Sequence, residues 1–178
     1  SGVRRPIVTS IPDPETLTRD NYASLRGASV LNMLRKQIGE EHWWKAIRAY
    51  VKDSAGKSVT TQDFQKAVEA ATGTPMSWFF DQWVYKMGHP VFEVTQQYDS
   101  TAQQLTLILL QTQTLDSQAV YPQAAFFQGK MDIELDGRIE TVQIEAKAEN
   151  HFSFYAPQRP QLINIDYEST WIKEIKFE

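Results

Sequence analysis

The feature that most constrains this chain is a change of hydrophobic period near Gly88. Before it, apolar residues recur at three- and four-residue steps; after it, they mostly alternate. A period near 3.6 buries one stripe of a helix, and a period of two buries one face of a strand. A chain that carries the first and then the second reads as helices followed by a sheet. The predicted fold class is therefore α+β in two parts, an α-helical bundle over 1–88 and an antiparallel β-sandwich over 89–178. The 178 residues suit two small domains or one sizeable one, and 42 % hydrophobic and 12 % aromatic content is enough for packed cores.

In the first part, a helix is predicted over 21–38. Leu25, Ala28, Leu31, Leu34 and Ile38 would form its buried stripe, and Gly39 would end it in left-handed geometry. A second helix starting at Glu40 would bury Trp43, Trp44, Ile47 and Val51. Glu40 and Glu41 fall in its first turn, where negative charge suits the helix dipole. Thr60 with Asp63 three residues later marks the cap of a third helix, which buries Phe64, Ala67, Val68 and Ala71 and stops at Gly73. A fourth helix is predicted to begin with Thr74 as cap and Pro75 at its first position, to present Trp78, Phe79 and Trp83, and to end at Gly88 before Pro90. The Pro- and Thr-containing residues before 21 read as an extended lead-in.

The second part holds about seven short strands: 91–98, 104–112, 130–135, 138–144, 151–155, 161–167 and 171–177. Asp136-Gly137 between the third and fourth is the strongest hairpin signal in the chain. Several short strands at this spacing imply an antiparallel sandwich.

Several function classes drop out. A net charge of −4 with scattered Lys and Arg gives no basic patch for nucleic acid. With no cysteine, the chain has no disulfide, thiolate metal site or cysteine nucleophile. The longest apolar runs, such as "LTLILL", are too short to span a bilayer. Composition does not fix a compartment. Ser1-Gly2 reads as a cut boundary, so the chain is expected to start inside a longer protein.

Five segments occur in one order: "RRPIV" (4–8), "RGASVLNMLRKQIGEE" (26–41), "TTQDFQKAVEAATG" (60–73), "FFDQWVYKMGHPVFEV" (79–94) and "LINIDYESTWIKEI" (162–175). Together they resemble the M1 family of zinc aminopeptidases, the aminopeptidase N-like gluzincins, across almost the whole chain. The resemblance implies that 1–88 is the helical C-terminal half of a thermolysin-like catalytic domain and that 89–178 is the β-sandwich after it. It also implies a parent enzyme that uses zinc to remove N-terminal residues from peptides. The partner of this chain would be the upstream catalytic half of that parent.

The zinc motif of such enzymes, H-E-x-x-H, needs two histidines four apart with Glu after the first. His42, His89 and His151 meet neither condition, so the chain is expected to hold no catalytic metal and to be inactive alone. The family also carries a tyrosine in Y-x-K-G-A, whose phenol donates a hydrogen bond to the developing oxyanion. Counting back from Gly27, that position is Ser24, and a tyrosine stands two residues earlier at Tyr22. Tyr22 is the candidate catalytic residue. Two residues turn a helix by about 200°, so Tyr22 could replace the missing phenol only if the helix has not yet begun. His42 is expected to pack or cap, His89 to bond locally and His151 to be solvated. Asp81 is expected to bond to backbone or to a basic side chain, and the Trp78, Phe79, Trp83 and Tyr85 cluster to be packing.

Overall fold

The computed structural model describes residues 5–9 and 21–177, and the side chains of Asn21 and Tyr22 lie outside the description. The lead-in before residue 21 therefore falls largely outside the described residues. The chain divides into two compact units, Ser1–Met87 and Gly88–Glu178.

In the first unit, α1 (Asn21–Ile38) and α2 (Glu40–Ser54) share the single residue Gly39 as their junction. Its N–H closes α1 on the Arg35 carbonyl at 2.8 Å, and its own carbonyl opens α2 by accepting the Trp43 N–H at 2.9 Å. Its φ of 82° is one that a side chain disfavours. The third helix, α3 (Thr61–Thr72), is capped as predicted. Thr60 donates its N–H and its hydroxyl to Asp63 Oδ2 at 2.9 and 2.8 Å, and Gly73 at φ 70° closes the far end.

The predicted buried stripe of α1 is displaced. Leu25 is 69 % exposed, Leu31 43 % and Ala28 also exposed, while Arg26, Val30, Met33 and Leu34 are buried. Periodicity alone places an arginine outward, but its methylene stem can lie in a core when the guanidinium finds a surface to rest on. Burying Arg26 rotates the helix away from the Leu25 face. On α2, only Ala46 is fully buried; Trp43 and Ile47 are half-buried, and Trp44 and Val51 are exposed. Trp44 stays at the surface because its indole N–H donates to Glu40 at 3.1 Å and its ring meets the Arg35 guanidinium 5.7 Å from its centroid.

The fourth helix also departs from expectation. It starts at Ser77, as α4 (Ser77–Phe80), and passes directly into a π-helix, Asp81–Tyr85. Thr74 does not cap it, since the Thr74 hydroxyl lies 3.3 Å from that of Thr72. Glu69 of α3 instead accepts the Met76 N–H at 2.9 Å. Phe64 joins the helices: the rings of Trp43, Tyr50 and Phe80 meet it edge-on at 6.4, 5.2 and 6.1 Å.

The second unit has, among the described residues, strands β1 (Val91–Asp99), β2 (Gln104–Gln111), β3 (Gly129–Leu135), β4 (Arg138–Ile144), β5 (Glu149–Tyr155), β6 (Ile163–Ile165) and β7 (Glu174–Phe177). They form two sheets, ordered β5-β2-β1-β7 and β4-β3-β6. Alternate residues are buried: Phe92 and Val94 on β1, Leu105, Leu107 and Leu109 on β2, and Met131, Ile133 and Leu135 on β3. The β3–β4 turn has φ 48° at Asp136 and 86° at Gly137, the positive pair that a two-residue hairpin of this twist requires.

The expectation of purely antiparallel pairing is corrected at one edge, where β7 runs parallel to β1 with Val91 opposite Glu174 and Val94 opposite Phe177. The Glu174 N–H on the Pro90 carbonyl, at 3.0 Å, starts that ladder.

Candidate functional site

Ser24, the residue at the family tyrosine position, lies in the first turn of α1 and is exposed. Tyr22 also falls within the helix, since α1 begins at Asn21, and its side chain lies outside the described residues. The helix has thus begun before either residue, and the two positions stand about 200° apart around its axis.

Two residues after Ser24, Arg26 turns inward. Its guanidinium lies 5.8 Å from the ring centroid of Trp83, which is fully buried in the π-helix. On either side of Trp83, Gln82 and Val84 are also buried. The Val84 carbonyl accepts the Val8 N–H at 3.2 Å, and Arg5, in the same short segment, is 4 % exposed. Parts of three recognised motifs, "RRPIV", "RGASVL" and "FFDQWVY", therefore converge on one π-turn. Nothing in the sequence pattern marked Arg26 as inward or residues 81–85 as π-helical. The only available signal was the run of three consecutive apolar or amide residues, 82–84, which no single helical stripe can bury.

Tyr85 ends the π-helix. Burial pushes its phenol pKa up, and its hydroxyl is enclosed without a hydrogen-bond partner among the described residues. Asp81 pairs with a basic side chain, Lys86, at 2.5 Å. Trp78 meets Phe79 edge-on at 5.7 Å, and Phe79 and Trp83 are buried. The cluster is packing rather than an open cage.

The three histidines are each engaged elsewhere. His42 Nδ1 lies 3.0 Å from the Ile38 carbonyl, so its N–H serves the end of α1. His89 Nε2 lies 2.9 Å from Glu174, a partner distant in sequence rather than the local one expected, and it ties the segment before β1 to β7. His151 is exposed and pairs with Glu149. Among the described residues, no three His, Asp or Glu side chains are grouped so as to hold a metal ion. No helix among the described residues is long and apolar enough to cross a membrane.

Known proteins now bear on these features. The model of the peptidase family M1 domain matches residues 4–83. Aminopeptidase A of Gloydius brevicauda is 33 % identical over 104 residues, covering 57 % of this chain and 11 % of that protein. Glutamyl aminopeptidase of Homo sapiens is 32 % identical over 91 residues, covering 50 % of this chain and 10 % of that protein. Among solved structures, aminopeptidase A of Legionella pneumophila in complex with aspartic acid superposes with a TM-score of 0.82. That match covers 98 % of this chain and 20 % of that one at 18 % identity, a likeness of fold. By these matches the chain is similar to the M1 peptidase family, over residues 4–83 in the family model. It spans only about a tenth of the length of the curated relatives named here.

Proposed function

We propose that this chain is a segment of an M1 zinc aminopeptidase, an enzyme that removes N-terminal residues from peptides. In this reading, 1–88 is the helical C-terminal half of a thermolysin-like catalytic domain and 89–178 is its β-sandwich. Zinc is held by parts of the protein outside this chain. The partner of the chain is the upstream catalytic half, and alone the chain neither binds catalytic zinc nor cleaves peptides. The observation that carries the reading is the single aminopeptidase fold that matches both units over 98 % of the chain, together with the family match over 4–83.

The test measures bound zinc and release of amino acids from aminoacyl amides, first with this chain alone and then with the upstream half added. Activity only on mixing is the expected result. Stoichiometric zinc and turnover by the chain alone would overturn the reading.

A second reading, a non-catalytic M1-like scaffold or peptide-binding module, is favoured by one observation. Ser24 stands where the family carries its tyrosine, and Tyr22 lies in the same helical turn about 200° away. On this reading the reconstituted protein binds zinc and stays inert, and Ser24→Tyr raises turnover. If Tyr22→Phe instead lowers an existing activity about a hundredfold, the size of a lost oxyanion donor, Tyr22 is the catalytic phenol and the scaffold reading fails.

A further inference from the structure

We propose that the Arg26–Trp83 stack is a positioning device: it sets the rotation of the first turn of α1, the turn that carries Tyr22 and Ser24, against the π-helix. The inference rests on the aminopeptidase reading only for the role of that turn.

Among the described side chains, no buried one lies in the first turn of α1. Its leading N–H groups have no intrahelical acceptor, as at any helix start, and no acidic residue in that turn complements the dipole. Ser24 is exposed and Leu25 is 69 % exposed, so neither anchors it. Among the described side chains of α1, Arg26 is the first that is buried; the next is Val30, one turn later. Positions 22 and 26 are also one turn apart, so whatever fixes the azimuth of Arg26 fixes that of the turn before it.

The platform that receives Arg26 is itself fixed. Trp83 is fully buried, and it is flanked by buried Gln82 and Val84. The Val84 carbonyl is tied to Val8, outside the helix. A π-turn widens the helix by one residue and changes the direction of the side chains that follow, a device found often at functional sites. A guanidinium lying over an indole is attracted over the ring face rather than along one bond, and the attraction grows when water is excluded, as it is here.

The test is amide hydrogen exchange in the 178-residue chain, read at residues 25–29 of α1, with residues 68–71 of α3 as internal reference. Arg26→Met is expected to speed exchange at 25–29 by about tenfold or more while 68–71 change less than about twofold, and Arg26→Lys, which keeps a cation, is expected to restore most of the protection. Should Arg26→Met fail to fold, Trp83→Phe, which keeps a weaker aromatic face, is read in the same way with a smaller effect. Unchanged exchange at 25–29, an equal rise at both places, or a lysine variant no better than methionine would overturn the proposal. In the reconstituted enzyme, Arg26→Met should lower kcat with KM within about twofold, and Arg26→Lys should recover it; a normal kcat in Arg26→Met would also overturn the positioning role. If the wild-type mixture is inert, the aminopeptidase reading fails and the exchange result still decides the stack.

Discussion

The two units solve the problem of buried polar groups in different ways. In the sheet unit, each buried polar side chain is clamped by several directed bonds. Gln111 accepts the Phe127 N–H and donates to the Phe127 carbonyl, both at 2.8 Å. Asn150 holds the Glu145 N–H at 2.8 Å. Asp166, only 2 % exposed and at φ 58°, accepts the N–H groups of Thr170 and Trp171 at 3.0 and 2.8 Å and the Lys173 ammonium at 2.5 Å. In the helical unit, Arg26 lies over an indole, and three aromatic rings meet Phe64. Strands supply irregular connections with free backbone groups that amide and carboxylate side chains can satisfy. Helices satisfy their own backbone and leave side chains to meet each other's faces. The sheet unit thus holds its buried amides and carboxylate on backbone groups of its connections, and the helical unit gathers large rings between its helices.

That contrast can be broken by mutation. Asp166→Ala removes an acceptor of three donors and strands the largely buried Lys173, and should destabilise the sheet unit by about 3–5 kcal/mol in chemical denaturation. A loss under about 1 kcal/mol would mean that the Asp166 bonds do not specify that connection. Trp83→Ala should cost the helical unit a comparable ~3–5 kcal/mol through the cavity it leaves. Far-ultraviolet circular dichroism should then show helix signal melting first, with strand signal retained; a single shared transition would refute independent cores. Gln111→Ala removes the two bonds from Gln111 to the Phe127 N–H and carbonyl and should cost about 2 kcal/mol, again in the sheet unit.

The smallest effect expected is a pH dependence in the helical unit. The Thr60 backbone N–H, and then its hydroxyl, hold the Asp63 carboxyl below its ordinary range. A depressed carboxylate contributes stability that is fully present above its unfolded pKa and is lost as pH falls through the lower folded value. Asp63→Asn should therefore be less stable than wild type near neutrality and converge with it in acid. A gap that persists at low pH would assign the cap to the neutral side chain.

The sequence made the strands more legible than the burial of the helices. Alternation in "VFEVTQQY" and "QLTLILL" placed β1 and β2 almost to the residue, and Asp136-Gly137 fixed a hairpin because only that turn accepts two positive φ values in succession. Helix ends were equally readable at Gly39, Thr60 and Gly73. The inward face of α1 was not, because its apolar residues populate two overlapping stripes and the choice between them depends on Arg26, which a hydrophobic count scores as outward. The π-helix leaves no period to detect, and the parallel pairing of β7 depends on which strand lies nearest, which alternation does not encode. At the candidate site, the resemblance pointed to Ser24 and Tyr22, while the neighbouring Arg26–Trp83 contact could come only from coordinates.

The parallel pairing of β1 and β7 has a mechanical consequence. The first and last strands of the sheet unit are neighbours pointing the same way, joined over four residue pairs from Val91 with Glu174 to Val94 with Phe177. A pull applied at Gly88 and at Phe177 in opposite directions would load this ladder in shear, so that its bonds share the force and must yield together. Antiparallel neighbours pulled from one end would instead open one bond at a time, like a zip. The short edge strand thus acts as a clamp, stiff along the direction of the strands.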